Sequence, residues 1–478
     1  MNSCLWLLLV LLLVMGVISW WLVNQQRRGF QKLFDDQVRR ESSVSILAPL
    51  MPDIVAGEIV VGKPLGGDLV DEWIRESVFT YPSHVLRQHL VIVGGTGSGK
   101  TVTASRIAYG VARYLGWQVI FINAKGDSET AQEFMGLMKS SDIRCGAFFP
   151  ELAYGGWRGD STAIINRLMA IEDYSEPYYK SVAKKVITLA VRAGEAPPRS
   201  AQEFLARLDV AMLKDWYRGT PEAQVVQAIK ADELQGVHNR YWAFFAALDG
   251  KLDGQWAFED VAVAHVLLDG TALKEEAQSL GRFLVEDFSH YVAVRKAKDR
   301  RVLFILDEFS ALSMHTDAAN LFERIRSLGG SVIVTSQSYA GLGTDAERIL
   351  DAAAGLIVHQ ENNPEELVSR AGTTSRMERS IQVDDEGPTG LGSMRLQDTY
   401  RVHPDSARQL EKGQCFVVCR GRAQRVQIAP APAVSAKTTL HLSWGVEPLM
   451  MNHSRTEKET VPSSDDATVC DAPASIDL

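Results

Sequence analysis

The sequence contains few cysteines. Five of its 478 residues are cysteine, namely Cys4, Cys145, Cys415, Cys419 and Cys470, and they are widely scattered. This number and spacing exclude a disulfide framework and favour a reducing compartment. Cys415 and Cys419 lie close together in QCFVVCRG, but no second Cys/His pair completes a zinc site. We therefore interpret these two cysteines as strand residues.

The sequence also lacks an excess of positive charge. Its formal net charge is −9, which excludes a generally basic surface of the kind that attracts nucleic acid. Any contact with DNA must therefore come from a local basic patch. The run RKAKDRR at 295–301 is one candidate, although such a run more often complements the C-terminal end of a helix. The chain has no internal repeat.

The N-terminal segment at 4–23 contains no charged residue and is mostly apolar. As a helix it spans about 30 Å, the hydrocarbon thickness of a bilayer. A cleaved signal peptide is the alternative, but no Lys or Arg precedes the run and no small-residue cleavage site follows it. The basic residues that follow place the rest of the chain in the cytoplasm; they are Arg27, Arg28, Lys32, Arg39 and Arg40. We predict a single transmembrane helix followed by a membrane-proximal linker at 24–84.

The stretch HLVIVGGTGSGKT at 89–101 has the pattern of a phosphate-binding loop. A β-branched apolar run ends in a glycine-rich turn, and the spacing of Gly94, Gly99, Lys100 and Thr101 matches G-x-x-x-x-G-K-[ST]. Glycines let successive backbone N–H groups approach phosphate oxygens, and the following helix adds the positive end of its dipole. We predict that Lys100 reaches the β- and γ-phosphates of ATP and that the Thr101 hydroxyl holds Mg²⁺. The predicted nucleotide-binding residues are Gly94, Gly95, Thr96, Gly97, Ser98, Gly99, Lys100, Thr101 and Val102.

A second nucleotide motif is RVLFILDEF at 301–309. It predicts a strand buried in a parallel sheet, with Asp307 and Glu308 at its carboxyl end. Asp307 is predicted to hold Mg²⁺, through water or Thr101, and Glu308 to orient and polarise the attacking water. An acidic pair that ends a strand by chance is the alternative, and the complete phosphate-binding loop earlier in the chain favours the functional interpretation.

Two further catalytic candidates lie near a third strand, GGSVIVTSQS at 329–338. Gln337, just past its end, is predicted to sense the γ-phosphate, and a loop glutamine with a purely structural role is the alternative. The preceding helix carries Arg324 and Arg326. We name Arg326 as a candidate arginine finger acting across a subunit interface, although two arginines on a solvated helix face are at least as common.

The alternation of strands and helices predicts an α/β fold with a mostly parallel sheet, divided between 85–159 and 259–430. Between these parts, 160–258 has helical periodicity and capping residues but no strand-like run, which predicts an all-α insertion domain with its own core. From 431 to 478 the chain is first rich in Ala, Pro and Ser and then acidic, which predicts a disordered acidic tail.

Taken together, the chain resembles the type IV coupling proteins of conjugation systems, and with them the FtsK and HerA class of DNA-pumping ATPases. The resemblance covers about residues 85–425 and rests on segments that occur in order: the apolar N-terminal run, VGGTGSGKT, a strand ending in NAKGD, the helical insertion, FILDEFSAL, IRSLGGSVIVTSQS and LEKGQCFVVC. It implies a RecA-like domain that assembles into a homo-hexameric ring, with ATP and Mg²⁺ at the subunit interfaces. The insertion would recognise cargo, a relaxase bound to single-stranded DNA, and the ring would pass it to a type IV secretion channel in the bacterial inner membrane.

Two features depart from the family pattern. Many members have two membrane helices, whereas this sequence predicts one, and the motif Asp-Pro-Lys-Gly-acid matches only at Lys125, Gly126 and Asp127. Two alternative functions share the same nucleotide motifs. One is a secretion-system receptor and scaffold for protein effectors that pumps no DNA. The other is a cytoplasmic translocase of DNA repair or defence, which the N-terminal apolar segment disfavours.

Overall fold

The computed structural model describes residues 51–69, 73–268, 274–295, 300–312, 321–384, 387–432 and 441–446. The segment at 4–23, predicted to be a membrane helix, lies outside these residues, as does the sequence beyond 446. In the part of the chain that the structure describes, no helix combines the length and the hydrophobicity needed to cross a bilayer.

A thirteen-stranded sheet forms the centre of the described chain. Its strands are β1 (Ile54–Val55), β2 (Glu58–Gly67), β3 (Ile74–Arg75), β4 (Val78–Tyr81), β5 (His89–Val93), β6 (Gln118–Asn123), β7 (Gly146–Phe149), β8 (Val263–Leu267), β9 (Val302–Asp307), β10 (Gly330–Ser336), β11 (Ala353–Val358), β14 (Gln414–Cys419) and β15 (Arg422–Ile428); β12 (Thr373–Asp384) and β13 (Gly387–Tyr400) form a separate ribbon. The larger part of the sheet is parallel, in the order β11-β5-β10-β9-β6-β8-β7. The carboxyl ends of these strands therefore meet at one edge, where ligands of such sheets bind.

The remaining strands extend the sheet in antiparallel fashion, in the order β3-β4-β2-β15-β14, with β14 beside β11 and β1 beside β2. This differs from the linker predicted for 24–84, because its described part contributes strands β1 to β4 to the sheet. Side-chain bonds also fix this region: Arg106 donates to the Val60 carbonyl at 2.8 Å and to the Asp53 carboxylate at 2.6 Å. The segment is therefore integral to the α/β domain.

Helices cover both faces of the sheet. They are α1 (Ser83–Leu86), α2 (Lys100–Leu115), α3 (Ser128–Ser140), α4 (Ser161–Ile171), α5 (Pro177–Arg192), α6 (Ala201–Arg207), α7 (Val210–Trp216), α8 (Ala223–Gln227), α9 (Ala231–Leu248), α10 (Lys274–Val294), α11 (Ala346–Ala352), α12 (Glu365–Val368) and α13 (Pro404–Arg408), with a helical turn at 321–325. Successive strand residues point to opposite faces. Leu90 and Ile92 of β5 belong to the core beneath α2 and α3, whereas Val91 and Val93 belong to the core beneath α4 to α10.

The stretch 160–258 is helical, as its periodicity predicts, but its buried residues form one cluster with Val91 and Val93 of the sheet. We call helices α4 to α9 the helical layer. A buried ion pair joins it to α10, since Arg167 Nη1 lies 2.9 Å from Asp287 Oδ1, and the Tyr154 hydroxyl donates to the same carboxylate. The predicted separate core is therefore not found among the described residues, because the layer packs on α10 and its buried residues are continuous with those of the sheet.

Part of the predicted disordered tail at 431–478 is ordered. Trp444 and Gly146 exchange two backbone hydrogen bonds, of 2.8 and 2.9 Å, and the Ser443 hydroxyl accepts the Phe148 N–H at 2.9 Å. Because β7 is the last strand of the sheet, residues 441–446 cover an edge that would otherwise present unpaired backbone groups.

Three histidines, His89, His265 and His359, are buried in the sheet or directly after it. Burial lowers the pKa of His89 and His359 to about 4 and that of His265 to about 3. The unfolded chain, with a histidine pKa of about 6.5, binds more protons than the folded chain as the pH falls. Each neutral ring therefore makes its full contribution to the free energy of unfolding above about pH 6.5. That contribution is lost progressively as the pH falls toward 4. We expect each histidine to remove about 2 kcal/mol from the free energy of unfolding between about pH 7 and pH 5.

Urea unfolding at these two pH values measures the loss in the free energy of unfolding, and the variant His265→Phe removes the part of that loss that comes from His265. The His265 ring packs against Phe121, Phe134 and Phe148, and neither of its nitrogens has a hydrogen-bond partner among the described residues. On acidification the free energy of unfolding of this variant should therefore fall by about 2 kcal/mol less than that of the wild type. The exposed His441→Phe is the matched control, and an equal acid response of the two variants would contradict the prediction.

Candidate nucleotide-binding site

The phosphate-binding loop lies at the carboxyl edge of the parallel strands. The buried strand β5 ends at Val93 and α2 begins at Lys100. Gly99, the N-cap of α2, has a φ of 115°, a conformation that favours glycine. Gly94 is required for a different reason, because a Cβ there would lie 2.5 Å from the Cβ of His359. Packing against the neighbouring strand therefore fixes one glycine of the motif independently of phosphate binding.

His359 connects the helix that follows this loop, α2, to strand β14. It follows β11, and its Nδ1 lies 2.9 Å from the Gln414 carbonyl oxygen while its Nε2 lies 2.9 Å from Thr103 Oγ1. Since a carbonyl only accepts, Nδ1 carries the proton and Nε2 accepts from the hydroxyl. Burial lowers the pKa of His359 to about 4, so the ring is neutral at physiological pH. It holds the first turn of α2 against β14.

Lys100 extends into the loop that precedes it. Its Nζ donates to the carbonyl oxygens of Gly94 at 2.6 Å and Gly95 at 3.1 Å. Burial lowers the pKa of Lys100, and the nearby carboxylates of Glu308 and Asp307 oppose that shift. The ammonium group is therefore held within the phosphate-binding loop, close to the acidic pair.

The acidic pair lies at the carboxyl end of the buried strand β9, as predicted: Asp307 is the last residue of the strand and Glu308 follows it. Asp307 Oδ2 accepts from the Thr101 hydroxyl at 3.0 Å, and Asp307 Oδ1 accepts from the Thr335 hydroxyl at 2.5 Å. The two nucleotide motifs, more than 200 residues apart in the chain, thus meet at the Thr101–Asp307 contact. A hydroxyl and a carboxylate are oxygen ligands of the kind that Mg²⁺ prefers. Their placement beside the loop fits a nucleotide-bound magnesium ion, which Thr101 and Asp307 would hold.

Glu308 adopts an unusual backbone conformation, with a φ of 61°. For a residue with a Cβ this left-handed conformation costs on the order of 1 kcal/mol, and it persists only where the surroundings impose it. Here the Glu308 N–H donates to Thr335 Oγ1 at 3.0 Å, and the Ser310 hydroxyl donates to Glu308 Oε1 at 3.1 Å. These bonds hold Glu308 at the same edge as the loop, where its charge acts on Lys100.

The other predicted residues lie at two different edges of the sheet. Gln337 follows β10 and is exposed, and the preceding Ser336 carbonyl accepts the Gly94 N–H at 3.1 Å, so Gln337 lies beside the loop. Val102, in the first turn of α2, is 45% exposed. Arg326 precedes β10 and therefore lies at the amino edge, away from the loop of its own chain. There, besides burial, its charge helps to lower the pKa of His89 at the start of β5.

Three residues of the site were not predicted from the sequence. Thr335 bonds both members of the acidic pair, and a partial signal was available, since it follows the apolar run Val332–Val334 near the end of β10. His359 and Glu361 follow β11 without a recognisable motif. Burial raises the pKa of Glu361, and the nearby Lys100 opposes that rise. Glu361 is therefore a further carboxyl group at the loop.

A strand, a glycine-rich loop, a helix that begins with Lys-Thr and an acidic pair on a parallel strand together define a P-loop nucleotide-binding α/β protein. The family profile described as the type IV secretion-system coupling protein DNA-binding domain matches residues 76–366. This chain belongs to that family of coupling proteins. No curated protein sequence matches the chain.

Solved structures of a coupling protein share the fold. The bacterial conjugative coupling protein TrwB in its unbound monoclinic form matches with a TM-score of 0.59 and 14% identity, over 80% of this chain and 99% of that one. TrwB in complex with ADP and Mg²⁺ matches with a TM-score of 0.56 and 12% identity, over 81% and 98% of the two chains. TrwB with a non-hydrolysable ATP analogue matches with a TM-score of 0.55 and 13% identity, over 80% and 96%. The predicted α/β fold with a mostly parallel sheet is thus confirmed.

Proposed function

We propose that this chain is a membrane-anchored ATPase that couples a relaxase–DNA substrate to a type IV secretion channel and drives DNA transfer by hydrolysing ATP. The observation that carries the proposal is the contact between Thr101 and Asp307, with Glu308 beside it, in a chain of the coupling-protein family. That TrwB was solved with an ATP analogue and with ADP and Mg²⁺ supports ATP and Mg²⁺ as the ligands.

In this mechanism the loop N–H groups and Lys100 bind the phosphates. The magnesium ion, held by Thr101 and Asp307, would neutralise charge on the β- and γ-phosphates. Glu308 orients and polarises the attacking water, and its fixed backbone conformation limits the positions that its carboxylate reaches. Gln337, beside the loop, contacts the γ-phosphate.

The proposal includes a single membrane span at 4–23 in the bacterial inner membrane and a homo-hexameric ring with its ATPase part in the cytoplasm. In such a ring Arg326 would act as the arginine finger, because a residue at the amino edge reaches a nucleotide only in another copy. A head-to-tail arrangement, in which the carboxyl edge of one copy faces the amino edge of the next, would allow this contact, and it forms a closed ring when the rotation between copies is a sixth of a turn.

ATPase activity of the purified protein with and without single-stranded DNA tests the motor function. We expect DNA to stimulate hydrolysis, because a translocating motor couples its cycle to the strand. Unchanged hydrolysis with DNA, together with binding of secreted proteins, would instead favour the receptor for protein effectors.

The helical layer is the proposed cargo surface. Tyr179 and Trp242 are 51% and 57% exposed, and exposed aromatic side chains commonly contribute most of the energy of protein recognition. We expect Tyr179→Ser combined with Trp242→Ser to weaken relaxase binding by about tenfold or more, with ATP affinity unchanged. Pull-down of the relaxase measures this.

The matched control for this test is Leu65→Ser, which removes an apolar side chain of similar exposure on β2. Point substitutions are preferable to deletion of 160–258, because the helical layer and the sheet share one core. Equal relaxase binding by the double variant and the control would move recognition to another surface.

A further inference from the structure

One buried hydroxyl group contacts both members of the acidic pair. Thr335, in β10, is fully buried, and its Oγ1 lies 2.5 Å from Asp307 Oδ1 and 3.0 Å from the backbone nitrogen of Glu308. The parallel pairing of Val334 with Leu306 places this hydroxyl beside the end of β9. Because no part of the Thr335 side chain is exposed, any effect that it has on hydrolysis must act through these two partners.

The chemistry of the partners determines the direction of both hydrogen bonds. A backbone N–H only donates, and a carboxylate only accepts. The Thr335 hydroxyl therefore accepts from the Glu308 N–H and gives its single proton to Asp307 Oδ1. Rotation of that proton away from Asp307 would leave a buried carboxylate oxygen without this donor, which is costly. The hydroxyl thus has one defined orientation.

The bond to Asp307 determines which carboxylate oxygen is left for the nucleotide side. Asp307 Oδ2 accepts from the Thr101 hydroxyl at 3.0 Å, whereas Oδ1 is bonded to Thr335. The last torsion of an aspartate side chain is intrinsically broad, so these two bonds set the plane of the carboxylate. Thr335 therefore keeps Oδ2 directed toward Thr101, where the two residues would hold Mg²⁺.

The bond to Glu308 supports its left-handed backbone, whose φ is 61°. A residue with a Cβ keeps this conformation only where its neighbours impose it. The Ala311 N–H donates to the Glu308 carbonyl at 2.9 Å, and Thr335 accepts the Glu308 N–H. Loss of the Thr335 hydroxyl would release one of the two backbone bonds that hold Glu308 in place.

Strand β10 lies between the two halves of the nucleotide site, with β5 on one side and β9 on the other. Thr335 bonds the acidic pair that ends β9, and the carbonyl of the next residue, Ser336, accepts the Gly94 N–H of the phosphate-binding loop at 3.1 Å. Consecutive residues of β10 therefore fix the acidic pair and the loop relative to each other.

We propose that Thr335 is a positioning residue for ATP hydrolysis, whose hydroxyl holds Asp307 and Glu308 in the relative arrangement that the reaction needs. This inference rests on the proposed ATPase function and adds a residue that acts without contacting the nucleotide. The loop and Lys100 would still bind the phosphates, so loss of the hydroxyl should lower turnover rather than affinity. The expected loss is about tenfold to a hundredfold, the factor that corresponds to one hydrogen bond to a charged group.

Steady-state ATP hydrolysis by the full-length protein in detergent tests this role. Thr335→Val keeps the shape of the side chain and should lower kcat by that factor, with the KM for ATP changed less than about threefold. Thr335→Ser keeps the hydroxyl and should retain kcat within about threefold. The control is Ser331→Ala, since Ser331 is a buried residue of β10 whose hydroxyl has no hydrogen-bond partner among the described residues.

Three outcomes of this comparison would overturn the proposal. The first is a kcat for Thr335→Val that stays within about threefold of the wild type, and the second is a change in KM alone. The third is an equal loss in Thr335→Ser or in Ser331→Ala, which would assign the effect to packing of the strand. A wild type that hydrolyses no ATP would refute the proposed ATPase and this role together, whereas normal hydrolysis by both the wild type and Thr335→Val would refute this role alone.

A second measurement depends neither on the folding of Thr335→Val nor on turnover. Thr335→Ser and Thr335→Cys have the same shape and differ in the donor, because a thiol donates more weakly than a hydroxyl. Calorimetric titration with ADP should give equal affinities for the two variants without Mg²⁺. Addition of Mg²⁺ should raise the affinity of Thr335→Cys less than that of Thr335→Ser, by about threefold or more. Equal gains from Mg²⁺ would overturn the proposal.

Discussion

Lys100→Ala should abolish nucleotide-dependent DNA transfer while leaving the protein folded and in the membrane. The Lys100 ammonium bonds only the carbonyl oxygens of its own loop among the described contacts, so its removal leaves the core of the sheet unchanged. What is lost is a charge-assisted contact to the phosphates, which contributes about 1.5–3 kcal/mol. We expect ATP affinity to fall about tenfold to a hundredfold, and transfer to stop because the remaining bound nucleotide is poorly positioned.

Calorimetric titration with ATP and a mating assay measure the two effects separately. Lys63→Ala is the matched control, because Lys63 is an exposed lysine on β2, in the antiparallel part of the sheet. An ATP affinity and a transfer rate unaltered by Lys100→Ala would show that the loop does not bind phosphate.

The second large effect is expected at Glu308. Glu308→Gln should bind ATP normally and hydrolyse it at least about a hundredfold more slowly, because a group that activates water typically contributes 10² to 10⁴. The amide keeps the size of the side chain and an oxygen to accept from Ser310, so the left-handed backbone conformation should persist. Only the negative charge that polarises the water is removed.

Steady-state phosphate release, with nucleotide binding followed in parallel, separates turnover from affinity. Glu347→Gln is a control of the same chemistry at a surface ion pair with Arg370. Normal turnover by Glu308→Gln would assign the activation of water to another group, and Glu361, a further carboxyl group whose charge acts on Lys100, would be the next candidate.

The sequence predicts the site best where the chemistry is local. The glycine-rich loop, Lys100 and Thr101 lie within a few residues, and Asp307 with Glu308 follows a strand whose apolar run is unmistakable. Thr335 and His359 were not predicted, because their roles arise only when strands distant in sequence become neighbours. Thr335 contacts the acidic pair across the β9–β10 pairing, and His359 contacts Gly94 across the β11–β5 pairing.

The fold, too, is predicted where the sequence pattern is local and is missed where it depends on contacts between distant segments. Alternating strands and helices predict the parallel sheet, but short strands such as β1 and β3 are too brief to give a periodic signal, so the linker predicted at 24–84 includes residues that belong to the sheet. The separate core predicted for 160–258 is not found for a related reason. A helical period shows that one face is apolar, not which surface that face meets, and here the layer packs on α10 and joins the core of the sheet.

The shared core has a mechanical consequence. The Arg167–Asp287 ion pair is buried, with its members in α4 and α10, so sliding α4 against α10 would leave a charge without its partner at a cost of several kcal/mol. A densely packed interior of this kind also resists small internal shear. Each subunit should therefore behave as a stiff body over a cycle of hydrolysis, and nucleotide-driven displacement should be concentrated at the boundaries between subunits.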